Sequence, residues 1–315
     1  MNKISIPVHK VSYASKQYLK TPCSWSIMRS KSRSISFAIL AVVAFASYGR
    51  LAAQEPPRSD GGGTRTQATP TGQDTAVEFK RVSFRYDRTV FGNVKSETVP
   101  AQRLEERNDK PDGVAPEYVH FTFEHGRLDN DAHVSVYPLN EFPKAYSVNS
   151  KLVKSMEENI KGLKEVIKDP SYRLLGQIPH LPFRDASDNF YVRVRQFKFL
   201  NGQGILFVTH WTQGAALVSN RNLVYRFEGI TDDGKYYVTA ETPVTVGFLP
   251  FDPPFRFEGF TYEHLFEAYR RPEAKRRYED YLKSITDRLK KLEPQDFYPN
   301  LGKFESIIAS LKVGR

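Results

Sequence analysis

Cysteine is almost absent from this chain of 315 residues, since the single one, Cys23, lies near the N-terminus. One cysteine cannot form an intramolecular disulfide or build a cysteine-ligated metal cluster. Long apolar stretches are also absent, because the longest one, residues 37–46, has only 10 residues. As a helix it would span about 15 Å, half of the roughly 30 Å hydrocarbon core of a bilayer. The sequence therefore excludes a disulfide-stapled scaffold and a polytopic membrane protein.

The motifs of common enzyme families are missing as well. The chain has no G-x-S-x-G, no P-loop and no H-E-x-x-H. Gly202 and Gly204 resemble the start of a dinucleotide-binding loop, but the third glycine is missing and the segment joins two predicted strands. No helix N-terminus therefore follows to hold a phosphate. We predict that the protein is not an enzyme, has no catalytic residues and binds neither a cofactor nor a metal ion.

Acidic residues are absent from residues 1–53, which contain eight basic ones. This segment accounts for most of the formal net charge of +10, because residues 54–315 hold 38 basic residues against 36 acidic ones. Binding of a nucleic acid requires a stripe of unpaired cations on the folded part of a protein. The balanced charge gives no such stripe, and we expect no nucleic-acid partner.

A secretory signal peptide is indicated by the order of features in residues 28–53. A cationic stretch at 28–33 precedes the apolar run, and Ala44 and Ala46 then fit the A-x-A cleavage pattern. A second candidate cleavage site follows Ala53. Positive charge, a short apolar core and a small-residue exit are the three parts that export signals share.

These features divide the chain into three parts. We predict a leader over residues 1–53, with Met28 as an alternative translation start, and export to the periplasm or the medium after cleavage. An uncleaved leader that anchors the chain is the alternative, and it would be the only membrane contact. Residues 54–77 contain no aromatic residue and little else to bury, so they are predicted to be a disordered tether. Residues 78–315 form the predicted single folded domain.

Apolar periodicity predicts an α+β class for this domain. Three strands are predicted first, at 79–86, 118–124 and 134–137. A long polar connection, residues 93–116, separates the first two. An amphipathic helix follows, because apolar residues recur at spacings of three and four from Leu152 to Ile167. Two more amphipathic helices are predicted near the C-terminus, at 272–292 and 301–311.

Two β-hairpins are predicted in the middle of the chain. Their strands are predicted at 190–200, 205–212, 223–230 and 235–242. Asn201-Gly202 joins the first pair and is a strong hairpin signal, because both residues tolerate positive φ. The expected result is a mainly antiparallel sheet with a four-stranded meander. Because the strand at 205–212 is apolar on both faces, helices should cover both sides of the sheet, as in an α/β/α sandwich.

An aromatic loop, residues 247–262, is the least ordinary segment, with five phenylalanines and three prolines in sixteen residues. We predict that Phe251, Phe255 and Phe257 pack mainly within the protein, since each exposed ring would forgo roughly 1.5–3 kcal/mol of burial. One or two aromatics are expected at the surface. If exposed, the loop would be an adhesive patch that binds a partner. The candidate ligand- or partner-binding residues are Phe248, Phe251, Phe255, Phe257, Trp211 and His210.

His210 has two interpretations. It lies beside Trp211 near the end of a central strand, where a hydrogen-bonded core histidine is expected. The alternative is a general base in an unrecognised hydrolase, working with a nearby carboxylate such as Glu228 or Glu241. Arg226 shares a strand face with Glu228, and a cross-strand ion pair explains such charges without a ligand.

Other polar groups have simple structural explanations. Arg193 and Arg195 share a strand face, and cross-strand ion pairs are expected there too. His120 and His125 are an odd number of residues apart on one predicted strand, so they face opposite sides and cannot share a metal. The D-x-D-x-H pattern at residues 129–133 lacks the glycine and the distal glutamate of a calcium loop, and it predicts a plain turn.

The hairpin region resembles a family of uncharacterised exported bacterial proteins, many of them lipoproteins. The resemblance is strongest at residues 199–213 and 222–238 and extends to 304–312. It implies no catalytic residues, because the family has no established activity. This chain departs from the lipoprotein pattern, since no cysteine follows the apolar run. The order of strands and helices is also loosely similar to the Mog1/PsbP-like fold. We therefore expect a non-catalytic binding or accessory module of the cell envelope, whose partner is an envelope protein or a small ligand.

Overall fold

Five stretches of the chain are described by the computed structural model: residues 74–105, 111–124, 131–169, 178–268 and 270–314. They all belong to one compact unit. The predicted leader, both candidate cleavage sites and residues 54–73 of the predicted tether lie outside the described residues. Cys23, His125 and Asp129 lie outside them as well.

Fourteen β-strands lie within the described residues. They are β1 (Asp74–Phe79), β2 (Val82–Asp87), β3 (Asn93–Val99), β4 (Tyr118–Glu124), β5 (Ala132–Pro138), β6 (Ser187–Phe199), β7 (Gly202–Thr212), β8 (Leu223–Thr231), β9 (Tyr236–Pro243), β10 (Thr245–Val246), β11 (Arg256–Phe257), β12 (Phe260–Thr261), β13 (Phe297–Tyr298) and β14 (Lys312–Val313). The α-helices of the same residues are α1 (Arg88–Phe91), α2 (Phe142–Ala145), α3 (Ser150–Lys168), α4 (Tyr262–Ala268), α5 (Pro272–Lys291) and α6 (Leu301–Ser310). The mixture confirms the predicted α+β class.

Seven of the strands form one antiparallel sheet in the order β3-β4-β5-β9-β8-β7-β6. β6 to β9 follow one another as a meander, and pairing of β5 with β9 adds three more strands. The predicted four-stranded meander is therefore only part of a seven-stranded sheet. A second sheet has three strands in the order β1-β2-β14.

Both predicted hairpins are present in the meander. At the β6–β7 turn, the side chain of Asn201 donates to the carbonyl of Val313 at 2.7 Å and accepts from its N–H at 3.0 Å. The turn thus fastens the C-terminal strand β14 to the sheet. At the β8–β9 turn, Gly234 has a φ of 69°, a left-handed conformation that glycine adopts without a Cβ clash.

Different layers cover the two faces of the seven-stranded sheet. Leu206, Val208 and Phe227 share one apolar core with the three-stranded sheet, α5 and α6. On the opposite face, Ile205 and Phe207 pack against α3 and a cover segment, which we define as residues 178–186. One layer therefore contains a sheet where the sequence predicted only helices.

The helix predicted from the apolar spacing between Leu152 and Ile167 is confirmed as α3. Asn149 caps its start, because its side-chain oxygen accepts from the N–H of Lys151 at 3.1 Å and of Leu152 at 3.3 Å. Met156 and Leu163 are fully buried under the sheet. The cap and the apolar stripe together fix where the helix begins and which side faces inward.

Two edge strands differ from the prediction. The predicted strand 79–86 is confirmed for residues 82–86, which lie in β2, whereas its first residues form the turn of the β1–β2 hairpin, where Lys80 has a φ of 53°. β1 begins at Asp74, so the last four residues of the predicted tether lie in a strand. β3 lies inside the predicted polar connection. Each of these strands is at the edge of its sheet and carries many polar residues, so the apolar alternation that reveals a strand is weak.

None of the described helices combines the length and the apolar character needed to cross a membrane.

Candidate functional site

An ionic cluster is buried on the sheet face that carries Ile205 and Phe207. Arg226 on β8 donates through Nε to Glu228 Oε1 and through Nη1 to Glu241 Oε2 on β9, both at 2.7 Å. Arg226 and Glu228 have no exposed surface. The two share a face because strand side chains alternate, and the register puts Glu241 directly opposite Arg226. The predicted cross-strand ion pair is confirmed for Arg226 and Glu241.

His180 of the cover segment completes the cluster. Its Nδ1 donates to Glu228 Oε1 at 2.5 Å, and its Nε2 donates to Asp188 Oδ2. Burial by itself lowers the pKa of His180, but the charge of Glu228 and the two carboxylate hydrogen bonds outweigh it and raise the pKa to about 9. His180 is therefore an imidazolium at neutral pH, with both nitrogens engaged.

Asp188 lies at the start of β6, and its side chain is almost completely buried. Its carboxylate accepts from Thr209 Oγ1 and from the hydroxyl of Tyr191, each at 2.6 Å, as well as from His180. Burial raises the pKa of Asp188, but these hydrogen bonds and the charge of His180 lower it below its usual value. The aspartate thus remains ionised inside the protein.

Glu241 lies toward the end of the cluster that reaches solvent, where the side chain of its neighbour Arg184 is 30% exposed. It accepts from Trp211 Nε1 at 3.0 Å, and Arg184 Nη1 lies 3.7 Å from the same oxygen, Oε2. The Arg184 guanidinium lies 4.7 Å from the centre of the Trp211 ring, within cation–π range. Burial raises the pKa of Glu241, yet the charges of Arg226, His133 and Arg184 lower it to about 2. Trp211, a predicted binding residue, is therefore part of this cluster.

The cluster is balanced in charge. Its three anions and three cations are Asp188, Glu228, Glu241, Arg184, Arg226 and His180. Buried charges are tolerated only when each has a partner, because burial removes their hydration. A histidine that donates to two carboxylates is also not free to accept a proton from a substrate. The arrangement is suited to holding the cover segment on the sheet.

Apolar contacts support this attachment. Ile178 and Leu181 of the cover segment are buried, and the ring of Phe183 lies edge-on to Tyr146 with centroids 5.2 Å apart. The N–H of Ile178 donates to the hydroxyl of Tyr191 at 3.1 Å. The segment is therefore anchored on both sides of His180.

His210 lies on the opposite sheet face and is fully buried. Its Nδ1 is 3.1 Å from Asn189 Nδ2, and its Nε2 accepts from the N–H of Ser219 at 3.4 Å. Burial lowers the pKa of His210 to about 4. The core interpretation is confirmed, and the pairing with Glu228 or Glu241 that the hydrolase alternative required is not formed.

The remaining sequence candidates do not assemble into a site. Arg195 pairs with Glu305 of α6 at 2.5 Å and Arg193 donates to the carbonyl of Leu292, so the cross-strand pairing predicted for them is wrong. His120 Nδ1 lies 2.8 Å from Ser135 Oγ. Within the described residues, no three histidine, cysteine or carboxylate side chains are arranged to hold a metal ion.

The aromatic loop is a second candidate site. Phe251 is 42% exposed and Phe255 is 71% exposed, so the prediction that they pack inside is wrong. Phe257 is half-buried against the core, as predicted. Phe248 is half-buried too, with the Arg288 guanidinium 3.8 Å from its ring centre. Tyr262, at the end of the loop, is also exposed.

The short β11–β12 hairpin explains this pattern. It turns at Glu258-Gly259, both with positive φ, and turns Phe260 inward. The ring of Phe260 stacks on Tyr281 at 5.2 Å between centroids and is 5% exposed. Phe260 thus supplies the burial that the sequence analysis expected from Phe251 and Phe255.

The backbone of the aromatic loop is held in place at its first half. The N–H of Asn220 donates to the carbonyl of Pro250 at 2.8 Å, and the N–H of Arg221 donates to that of Phe251 at 2.9 Å. The Asn220 side chain donates to the carbonyls of Val246 and Leu249, at 3.1 and 2.8 Å. Phe251 therefore projects from a backbone that is bonded to the neighbouring segment, and the carbonyl of Phe255 accepts from the N–H of Tyr262 at 3.1 Å within the loop.

Comparison with protein families, curated proteins and solved structures finds no match to this chain. The resemblance to exported bacterial proteins and to the Mog1/PsbP-like fold stays a prediction. Both candidate sites are interpreted from their geometry alone.

Sequence reasoning missed His180, Arg184 and Asp188 as members of one cluster. His180 lies between prolines in a short segment without periodicity, and its partner Glu228 is 48 residues away. One signal was present: two charges, Arg226 and Glu228, face one side of a strand that is otherwise apolar. Inward charges on a central strand require partners from whatever layer covers them.

Proposed function

We propose that this protein is an exported, non-catalytic binding module of the cell envelope and that a partner protein binds its aromatic loop. The exposure of Phe251 and Phe255 on a fixed backbone is the observation that carries this proposal. The two exposed rings are four residues apart on one loop, and exposed apolar residues that cluster on a surface commonly mark protein interaction sites.

The chemistry of the loop fits a protein interface. Burial of one exposed phenylalanine contributes roughly 1.5–3 kcal/mol, and aromatic anchors ringed by polar groups are typical of binding hot spots. Arg221 lies 5.3 Å from the Phe251 ring centre and also pairs with Asp252, which gives this side of the patch a polar rim. A backbone that is already ordered loses little entropy when a partner binds.

The ionic cluster has a supporting role in this proposal. His180 bridges Asp188 and Glu228, so its ring connects the cover segment to two strands of the sheet. In this proposal the cluster attaches the cover segment to the sheet and does not bind a ligand. The hydrolase alternative has no supporting geometry at His210, whose ring bonds Asn189 and Ser219 instead of a carboxylate.

Export is part of the proposal and is supported by the leader sequence. The cationic stretch, the 10-residue apolar run and the small residues after it have the order of a signal peptide. A chain whose residues 54–315 contain no cysteine also suits an oxidising compartment. The partner would then be another protein of the envelope.

Photo-crosslinking in the native host tests the binding role. A photoreactive phenylalanine derivative replaces Phe255, which is 71% exposed, and in a separate strain replaces Leu200, which is 66% exposed on the β6–β7 turn. We expect irradiation to yield one discrete adduct from position 255 and none from position 200. The matched exposure of the two sites separates a specific contact from random collision.

Two outcomes would contradict the proposal. Adducts of the same size from both positions would indicate indiscriminate contact, and no adduct from position 255 would leave the loop without a partner. As a further control, the photoreactive derivative replaces Phe260, which is buried. Irradiation of this strain should give no intermolecular adduct.

A further inference from the structure

A cavity of about 160 Å³ is lined by one end of the seven-stranded sheet and by the β1–β2 turn. Its floor is a single row of the sheet, because Val119 on β4 lies opposite both Thr98 on β3 and Val136 on β5. Opposed residues of neighbouring strands share a face. Val119 and Val136 are part of the apolar core and are 8% and 3% exposed. Apart from the Thr98 side chain, the floor is therefore apolar.

Lys80 and Arg81 of the β1–β2 turn form another wall of the cavity. Arg81 Nη1 donates to the hydroxyl of Tyr236 on β9, and its guanidinium lies 5.2 Å from the centre of that ring. The carbonyl of Arg81 also accepts from the N–H of Gly314 at 2.5 Å. Contacts to β9 and to the residue after β14 thus hold the turn in place, so this wall is part of the folded structure.

Residues of opposite charge line this cavity. Lys80 and Glu117 are both exposed, and among the described residues neither takes part in an ion pair. Lys80 lies on the turn and Glu117 lies immediately before β4, so the two charges belong to different walls. A few polar groups in a largely apolar pocket fix the orientation of its ligand. A ligand that carries both charges can pair with both residues at once.

The Thr98 hydroxyl supplies a third polar group. It is buried and has no hydrogen-bond partner among the described residues. Buried polar groups in native proteins are almost always paired, and a hydroxyl can both donate and accept. A ligand on the floor of the cavity would therefore gain a hydrogen bond from Thr98 beside its apolar contacts with the two valines.

The size and the lining of the cavity restrict its ligand. A volume of about 160 Å³ equals that of roughly five water molecules and is below the roughly 300–1,000 Å³ of pockets for drug-sized ligands. A fatty acid of this size has no group that pairs with Glu117, and an alkyl amine has none that pairs with Lys80. A free amino acid with an apolar side chain has an anionic group, a cationic group and a small apolar body.

We propose that this cavity binds a free amino acid with an apolar side chain. That side chain packs on Val119 and Val136, the carboxylate pairs with Lys80, and the ammonium group pairs with Glu117. The Thr98 hydroxyl forms a hydrogen bond with one of the two charged groups. The site shares no residue with the aromatic loop and does not rest on the proposed partner protein.

Isothermal titration calorimetry of the full chain with L-leucine and the shorter L-valine tests this site. Two further probes each lack one charged group: 4-methylpentanoate is leucine without its ammonium group, and 3-methylbutylamine is leucine without its carboxylate. We expect at least one of the two amino acids to bind with a Kd in the micromolar to millimolar range. Each of the two further probes should bind about three- to tenfold more weakly, because it engages only one of Lys80 and Glu117.

Two variants assign the charges. Lys80→Met should weaken binding of the amino acid about three- to tenfold and leave binding of 3-methylbutylamine unchanged. Glu117→Gln should weaken binding of the amino acid to a similar extent and should not weaken binding of 4-methylpentanoate. Both side chains are exposed, so the variants should keep the fold.

Lys312→Met is the matched control. Lys312 is exposed and lines an adjacent groove together with Lys80 and Arg81, but it does not line this cavity. Its replacement should leave the Kd of the amino acid within about twofold of the wild-type value. The proposal is overturned if neither amino acid binds, or if 4-methylpentanoate or 3-methylbutylamine binds as tightly as L-leucine. It is also overturned if Lys80→Met and Lys312→Met change the Kd equally, because the ligand would then lie in the groove.

Discussion

Arg226 donates to two carboxylates in the interior, and each of these carboxylates depends on it. Glu228 also accepts from His180, and Glu241 also accepts from Trp211. A buried pair is weak evidence for net stability, but removal of one partner leaves the other charge uncompensated in a medium that solvates it poorly. Replacement of one charged residue of the cluster should therefore lower the stability of the protein more than the intact pair raises it.

Arg226→Met tests this sensitivity. The substitution keeps an apolar side chain of similar length and leaves Glu228 and Glu241 without their shared cation. We expect the free energy of unfolding in urea to fall by about 3–5 kcal/mol. Lys144→Met is the control, since the Lys144–Glu141 pair is exposed, and its loss should change stability by less than about 1 kcal/mol. Equal effects from both variants would mean that the buried cluster is not held by Arg226.

The pKa of His180 predicts a loss of stability at alkaline pH. It is raised from 6.5 to about 9, so its contribution is complete below pH 6.5, declines above it and is gone once the pH passes about 9. The pKa of Glu241 is lowered from 4.5 to about 2, so its contribution is complete above pH 4.5 and disappears toward pH 2. We expect the greatest stability from this cluster between those limits.

Urea unfolding measured from pH 3 to pH 10 checks this dependence. The variant His180→Gln keeps a side chain that can hydrogen-bond but cannot be charged, so the decline between pH 6.5 and 9 should flatten. His210→Gln is the comparison, because the pKa of His210 is lowered to about 4 by burial and it does not titrate in this range when folded. An alkaline decline that survives in His180→Gln would assign it to another group.

At the scale of elements, the central hairpins could be predicted because strong local signals coincide there. Asn201-Gly202 marks one turn, and the alternating apolar residues of β7 and β8 require cover on both faces. β3 gave no such signal, since it is an edge strand whose Lys95 and Glu97 pair with each other at the surface. Edge strands obtain their order from the neighbouring strand's apolar residues rather than from their own.

The candidate sites could be predicted less well, for different physical reasons. His180 meets Glu228 only because two distant elements pack together, and no local pattern records such a contact. In the aromatic loop, burial energy was assigned to Phe251 and Phe255, whereas the Glu258-Gly259 turn directs Phe260 into the core instead. A sequence reveals how many rings need burial but not which of them the turn directs inward.

Truncation of the loop phenylalanines tests this division of roles. Phe255→Ala should change the free energy of unfolding by no more than about 0.5 kcal/mol, because the ring is 71% exposed. Phe260→Ala should lower it by about 3–5 kcal/mol, because the ring is buried against Tyr278 and Tyr281. A large loss for Phe255→Ala in thermal or urea unfolding would show that its ring packs within the protein.

At the scale of the whole molecule, the predicted leader and the remainder of the chain differ in net charge and in proposed role. The leader contributes most of the net positive charge, and residues 54–315 are almost balanced. Under the proposed function, this balance of charge favours recognition of a partner by shape and apolar contact rather than by charge. In the proposed function, the leader serves only as the signal for export.

Mass spectrometry of the protein from its native host tests whether the leader is cleaved and the protein is exported. We expect mature chains that begin near Ser47 or Gln54, because small residues precede both positions. An exported protein should also be found in the periplasmic or extracellular fraction. Recovery of intact residues 30–50 from the membrane fraction would show that the leader is retained as an anchor.

Binding through the aromatic loop is tested most directly by competition. An unlabelled domain competes for the partner and so reduces the amount of adduct formed from position 255. An excess of the unlabelled folded domain, residues 74–315, is added before irradiation, either unchanged or with Phe251→Ala and Phe255→Ala together. We predict that the unchanged domain suppresses the adduct and that the double variant does not, because it lacks both exposed rings. Equal suppression by both would contradict partner binding at this loop.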